Sequence, residues 1–186
     1  MPIAAHPIIK DYAHLIMNWD EYAIGIADAV SNKSKDPWNK VGAVILREDH
    51  SIASVGYNGF PQVVEEDWSN RDERRKYVIH AEQNALRYIK PGEGEAIYST
   101  LMPCSDCIKA IAAYKIKKVI YRDLYVNDFS AIEFAEKMRI ELVQFKKPKL
   151  TSHWDHSTKP SVFIVKQEQK EIYRGTYPNG AKILGI

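Results

Sequence analysis

Ala96-Ile97-Tyr98-Ser99-Thr100 runs through Leu101-Met102 into Pro103-Cys104-Ser105-Asp106-Cys107, and Ile108-Lys109-Ala110-Ile111 follows at once. The first segment reads as a strand. The proline and the helical periodicity after it place a helix start at or near Cys104, with the helix running to Tyr114. Upstream, His80-Ala81-Glu82 opens a second helix, Ala81 to Ile89, closed by Pro91-Gly92. Further out, Val41–Leu46 and Ile52–Tyr57 read as strands flanking a turn at Glu48-Asp49-His50. Lys118–Tyr121 and Ile140–Phe145 are strands, and Ser130–Arg139 is a helix between them. Asp11–Ser31 is an amphipathic helix with Leu15, Ile16, Trp19, Tyr22, Ala23 and Ile26 at helical spacing. Phe60–Tyr77 is a long polar loop holding a helical turn. Strands alternating with helices imply an α/β sheet with helices on its faces. Beyond Lys146 the pattern weakens to one strand candidate, Ser161–Lys166, and a turn at Pro178-Asn179-Gly180. The expected organisation is one domain over residues 1–146 and a C-terminal extension, 147–186, packed on it.

At 186 residues, a single domain is the default. The formal net charge of +2 gives no reason to invoke a polymeric nucleic acid. Arg71–Lys76 is mixed in sign and reads as a solvated face. Met1–Lys10 lacks the pattern of a signal peptide, and no apolar run reaches the roughly 18 residues of a membrane span. Two cysteines, both assignable to a metal, fit a reducing compartment: the cytoplasm, or the host cytoplasm for a viral source.

Cys104 and Cys107 are the only cysteines. A four-cysteine site within one chain is therefore excluded. A lone C-x-x-C is also compatible with a redox pair or two buried thiols, but those readings leave His80-Ala81-Glu82 without a purpose. One imidazole and two thiols close three sides of a tetrahedral zinc site and leave the fourth open, as catalytic zinc requires. Residues three apart share a helix face, so both sulfurs can reach one ion. A helix N-terminus favours thiolate, the form that binds metal. Glu82 is not needed to hold the ion. It is needed if something at the open position must gain and lose protons. The pattern H-x-E…P-C-x-x-C is the signature of zinc-dependent nucleobase deaminases.

Several segments extend that match. They are Ser34-Lys35-Asp36-Pro37 with Val41-Gly42-Ala43-Val44, Gly56-Tyr57-Asn58-Gly59-Phe60-Pro61, Lys76-Tyr77-Val78-Ile79-His80-Ala81-Glu82-Gln83-Asn84-Ala85, and Pro103 to Lys118 with Tyr121 and Tyr125. On these the chain resembles the deoxycytidylate (dCMP) deaminases of the cytidine deaminase superfamily, over about residues 10–146. Two departures stand out. Lys115 occupies a helix end where the family usually has Gly. The insert Phe60–Ile79 has neither Cys nor His, so a second zinc is not expected.

The resemblance implies a three-layer α/β/α sandwich with a five-stranded mixed sheet. It implies one Zn2+ per subunit on His80, Cys104 and Cys107, lowering the pKa of a water whose hydroxide attacks C4 of dCMP to give dUMP and ammonia. Glu82 shuttles the proton. Substrate contacts are expected from Ala81, Asn58, Asn84, Lys35, Tyr125 and Ala43. Activation by dCTP and inhibition by dTTP, with Mg2+ accompanying the triphosphate, are expected at Gly56, Tyr57, Asn58 and Gly59. A homohexamer is expected, without membrane association. The alternatives are a dCTP or bifunctional dCMP/dCTP deaminase, another base or nucleoside deaminase, and a zinc-stabilised nucleotide-sensing module. Read without the resemblance, Gly56–Gly59 is a tight turn after a strand. Trp19, Tyr22 and Trp38 read as core or subunit interface. His6, His14, His50, His153 and His156 read as surface or satisfied side chains, with a second metal at His153 and His156 the less favoured reading.

Overall fold

The computed structural model describes residues 17–147, 150–157, 162–167 and 170–175. Asn18–Lys146 forms one compact unit. Its sheet has the order β2-β1-β3-β4-β5, with β1 Gly42–Leu46, β2 Ile52–Tyr57, β3 Ala96–Leu101, β4 Lys118–Asp123 and β5 Glu141–Gln144. β1 is antiparallel to both β2 and β3, while β3–β4 and β4–β5 are parallel, so the sheet is mixed. The parallel pairs require crossovers. These are supplied by two of the five helices found among the described residues: α1 Trp19–Ser31, α2 Arg71–Tyr77, α3 Ala81–Leu86, α4 Ser105–Ala113 and α5 Ser130–Lys137.

Side-chain alternation decides the layers. Val44, Leu46, Tyr98 and Ile120 form one core with Ala23, Ile24 and Ala27 of α1. Ala43, Ile45, Ile97 and Val119 form the opposite core with Ala81, Ala85, Ile108, Ile111, Ala131 and Ala135 of α3, α4 and α5. Strand β1 lies between both layers and is buried at every residue. The three-layer α/β/α sandwich with a five-stranded mixed sheet is therefore present, as the resemblance implies.

Two glycines allow the layers to close. A Cβ on Gly42 would lie 2.0 Å from the Ala27 carbonyl oxygen of α1. One on Gly56 would lie 2.3 Å from Ala81 O and 2.4 Å from Ala85 N of α3. No real Cβ tolerates such distances, so both helices approach the sheet only because these side chains are missing.

Four expectations need correction. The single helical turn expected in Phe60–Tyr77 is a two-turn helix, α2. Helix α3 stops at Leu86, short of Ile89; Arg87 caps it and the Tyr88 and Ile89 amides turn back to Ala85 O and Leu86 O. Of the two expected places for Trp19, Tyr22 and Trp38, core and subunit interface, the core is ruled out, because all three are exposed: Trp19 stacks on His50 at 4.5 Å and meets Tyr22 edge-on, while Trp38 lies under Arg74. The C-terminal part carries three strands where one was expected. β6 Leu150–Asp155, β7 Val162–Gln167 and β8 Lys170–Gly175 form a separate antiparallel sheet in the order β6-β7-β8. Residues 11–16 and the 178–180 turn lie outside the described residues. At the altered helix end, Lys115 has φ 64°, a left-handed conformation that costs a non-glycine residue about 1 kcal/mol. Among the described residues, no helix is long and apolar enough to cross a membrane.

Candidate metal centre

β3 ends at Leu101, and the next amide, Met102 N, donates to Asp123 O at 2.8 Å beside the end of β4. Pro103 then turns the chain into α4. Cys104 is the N-cap residue of α4, with extended φ −73° and ψ 170°, and Cys107 lies in its first turn, buried. His80 occupies the same position on α3, with φ −70° and ψ 153°. Neither residue spends its side chain on a capping hydrogen bond. Both are left for another task.

His80 Nδ1 lies 3.3 Å from Cys107 Sγ and 3.5 Å from Cys104 Sγ. The three ligand atoms all fall within 4.8 Å of one another, and both cysteines are free. Tetrahedral zinc with Zn–S near 2.3 Å and Zn–N near 2.0–2.1 Å would separate nitrogen and sulfur by about 3.5 Å. The residues fit the ion. The charge balance agrees. The hydrogen bond from Cys107 pulls the Cys104 thiol down to about 4, and that same contact, then burial, pushes the Cys107 thiol far up. Two adjacent sulfurs cannot both carry charge unaided. The sulfur of Cys104 also raises the His80 pKa, so the cluster draws positive charge to itself. A cation satisfies all three groups together.

Glu82 stands beside this cluster and is not one of its ligand groups. It is 4% exposed. Its Oε2 lies 3.6 Å from Cys107 Sγ, and Ser99 Oγ donates to its Oε1 at 3.2 Å. Burial pushes the Glu82 carboxyl above its ordinary pKa. A proton-carrying group next to a metal ligand is the arrangement acid–base chemistry asks for.

The remaining predicted residues are placed less uniformly. Ala81, fully buried, begins α3, and Ala43, also fully buried, pairs with Ser99 on β3. Tyr125 follows β4 and packs half-buried against the helix-side core. Asn84 is half-buried, and its Nδ2 donates to Tyr57 O at 2.8 Å. Lys35 is exposed, with Nζ paired to Glu66 at 2.8 Å.

Asn58 is bonded within the fold. It is 6% exposed; its Nδ2 donates to Asn39 O and Asp36 Oδ2, and its Oδ1 accepts from Val41 N. Its amide therefore holds the 34–41 segment. At the Gly56–Gly59 loop, the expected effector site, two backbone amides are also engaged. The Asn58 amide donates to Val41 O and the Gly59 amide to Ile79 O, while Gly56 is buried under α3. Only Tyr57 presents an exposed side chain there.

Sequence reasoning missed three features. Ser99 touches Glu82, and the signal was a hydroxyl inside a strand otherwise buried for packing. Asp128 accepts from Ser105 N at 2.7 Å, tying the loop after β4 to the first turn of the cysteine helix. Arg74 and Asp36 form a buried ion pair at 2.8 Å.

Fold and cluster together define an α/β sandwich with a three-ligand, zinc-type centre. Residues 17–123 match the family described as the cytidine and deoxycytidylate deaminase zinc-binding region, and the chain belongs to that family. A "Probable deoxycytidylate deaminase" of Drosophila melanogaster is 34% identical over 127 residues, covering 60% of this chain. The human deoxycytidylate deaminase is 35% identical over 115 residues, covering 56% of this chain. The chain spans 61% and 65% of the length of these two relatives. The solved dCMP deaminase of cyanophage S-TIM5, in complex with dCMP and dUMP, superimposes with a TM-score of 0.59 at 28% identity, over 75% of this chain and 98% of that one.

Proposed function

We propose that this chain is a zinc-dependent hydrolase that converts dCMP and water to dUMP and ammonia. The observation that carries the reading is the buried Glu82 carboxylate, placed against the His80–Cys104–Cys107 cluster yet outside it. A purely structural site has no use for a non-ligating acid there. The named relatives and the phage structure with dCMP and dUMP support this substrate over others.

His80, Cys104 and Cys107 would hold the ion. When bound, it supplies a Lewis acid that brings a water's pKa toward neutrality. Glu82 accepts one proton from the attacking water and delivers it to N3 of the base; it then takes the second proton from the new C4 hydroxyl and passes it to the amine, so that the C4–N bond breaks, ammonia leaves and the oxygen becomes the carbonyl of dUMP. Burial suits it to this, because a pKa raised toward the working pH lets one carboxyl both take and return a proton. The Ala81 N–H, at the start of α3, is proposed to hold the base's carbonyl oxygen. Asn84 and Tyr125 are proposed nucleotide contacts. Lys35 can reach a phosphate only by leaving Glu66.

Activation by dCTP and inhibition by dTTP, with Mg2+, remain part of the proposal. Because the Asn58 and Gly59 amides are already bonded, an effector at this loop would be gripped by side chains such as Tyr57. A hexamer is proposed on the family resemblance and is read by sedimentation.

The test is ammonia release by the full chain from dCMP, dCTP, deoxycytidine and guanine, with and without dCTP or dTTP plus Mg2+. dCMP is expected to be the best substrate, and a better rate on any other sinks the assignment. Glu82→Gln is expected to lower kcat by about 10²–10⁴-fold while one metal per chain is retained. Turnover that survives the substitution would remove Glu82 from the chemistry.

A further inference from the structure

Ser99 is 0% exposed and lies on β3, on the face covered by α3. Its neighbours across the sheet are Ala43 and Tyr121. Nothing in the packing of a strand buried up to its last residue calls for a hydroxyl at this point, and a buried hydroxyl must find partners. It finds two. The Leu101 amide donates to Ser99 Oγ at 3.4 Å, and Ser99 Oγ donates to Glu82 Oε1 at 3.2 Å. With an N–H on its acceptor side, the hydroxyl has its proton directed at the carboxylate. The other carboxylate oxygen, Oε2, is the one near Cys107 Sγ.

We infer that Ser99 is a positioning residue for the reaction: it pins Oε1 so that Oε2 alone faces the metal centre. The inference rests on the proposed role of Glu82 as proton carrier. The terminal torsion of a glutamate is broad and roughly two-fold, so an unpinned carboxylate samples several orientations. Proton transfer needs heavy atoms within about 2.6–3.2 Å, and misplacement by about 1 Å is enough to cost two orders of magnitude in rate. Ser99 restricts the carboxylate to the orientation that serves. It touches neither substrate nor metal and acts only through Glu82.

The experiment compares the metal-loaded full chain with Ser99→Ala and Ser99→Thr. Ser99→Ala is nearly isosteric and keeps the fold. Its kcat is expected to fall about tenfold, with KM within twofold of the parent and one metal per chain retained. Ser99→Thr keeps the hydroxyl and is expected to recover most of the rate. Crystals of metal-loaded Ser99→Ala are expected to show the Glu82 carboxylate in more than one orientation, against one in the parent. An unchanged kcat, or a single parent-like carboxylate in Ser99→Ala, overturns the inference. So does a loss of kcat matched by an equal loss of metal, which would make Ser99 a structural residue. If the parent protein fails to turn over dCMP, the functional reading falls, and the carboxylate orientation decides Ser99 by itself.

Discussion

A buried guanidinium has to be paired, and Arg74 is. Its Nη1 lies 2.8 Å from Asp36 Oδ1, with the two side chains 8% and 4% exposed, and its Cζ sits 4.8 Å from the centre of the Trp38 ring. Asp36 is also the acceptor for the Trp38 and Asn39 amides and for Asn58 Nδ2. Four donors from three segments thus converge on one carboxylate. Removing one partner of such a pair strands the other, which costs about 3–5 kcal/mol. Arg74→Met is therefore expected to destabilise by about 3 kcal/mol in denaturant unfolding, the remaining amide donors to Asp36 limiting the loss. A change below about 1 kcal/mol would mean the pair contributes only geometry. None of this was visible in Arg71-Asp72-Glu73-Arg74-Arg75-Lys76. Charges of both signs in one short run read as solvated, and nothing local says which arginine turns inward. The deciding partner stands 38 positions away, in a segment read for its resemblance and not for its charge. Ser99 was hidden for the same reason: its partner is fixed by packing across β3 and α3. The meeting of His80, Cys104 and Cys107 beside Glu82 was legible because residue type and short spacing carry it.

Elements were legible where periodicity and punctuation agreed. The β3-to-α4 passage was readable from Pro103 and the apolar spacing after it, and the cores on both faces follow from strand alternation. Helix α2 was reduced to a turn because RDERRKY has no apolar face to announce it. Strands β6 and β8 were missed because LTSHWD and KEIYRG interrupt their apolar residues with charge and hydroxyl. Gly56 was ambiguous in another way. A glycine after a strand signals a turn, a phosphate cradle or a close approach, and only the neighbouring helix distinguishes them. Here α3 lies on β2, with Ser54 Oγ donating to Ala85 O at 2.7 Å and the Gly56 Cα facing the Ala81–Ala85 backbone. In Gly56→Ala the new methyl meets backbone, which cannot rotate aside as a side chain can. The helix must lift. Overpacking of this kind costs about 1–3 kcal/mol. Because α3 carries both His80 and Glu82, the displacement is expected to appear twice: as a lowered Tm, and as metal content well below one per chain after gel filtration. Full metal content together with a lowered Tm would show that α3 shifts as a body without opening the cluster.

The Asn18–Lys146 unit closes its metal centre from two places far apart in the chain, one at the start of α3 and one at the start of α4, on the same face of the sheet. An ion bound there bridges two helices that otherwise meet through apolar packing. It also relieves a conflict among like charges, since the Cys107 sulfur is in contact with both the Cys104 sulfur and the Glu82 carboxylate. Both effects exist only in the folded chain, so the ion should stabilise it by mass action. A site filled at about a thousand times its Kd adds about 4 kcal/mol. For a chain of this length each kcal/mol moves Tm by roughly 2–4 °C. Stripping the full chain with a chelator and removing the chelator is therefore expected to lower the Tm of this unit by about 10 °C in calorimetry, with recovery on adding one equivalent of Zn2+. Glu82→Gln should show the same metal-dependent shift, because Glu82 lies outside the cluster and its loss does not open the ligand set. If chelation leaves Tm unchanged while both thiols become titratable, the ion was bound too weakly to support the fold. If the thiols are not titratable before or after, the two sulfurs were never ligands, and the proposed chemistry loses its centre.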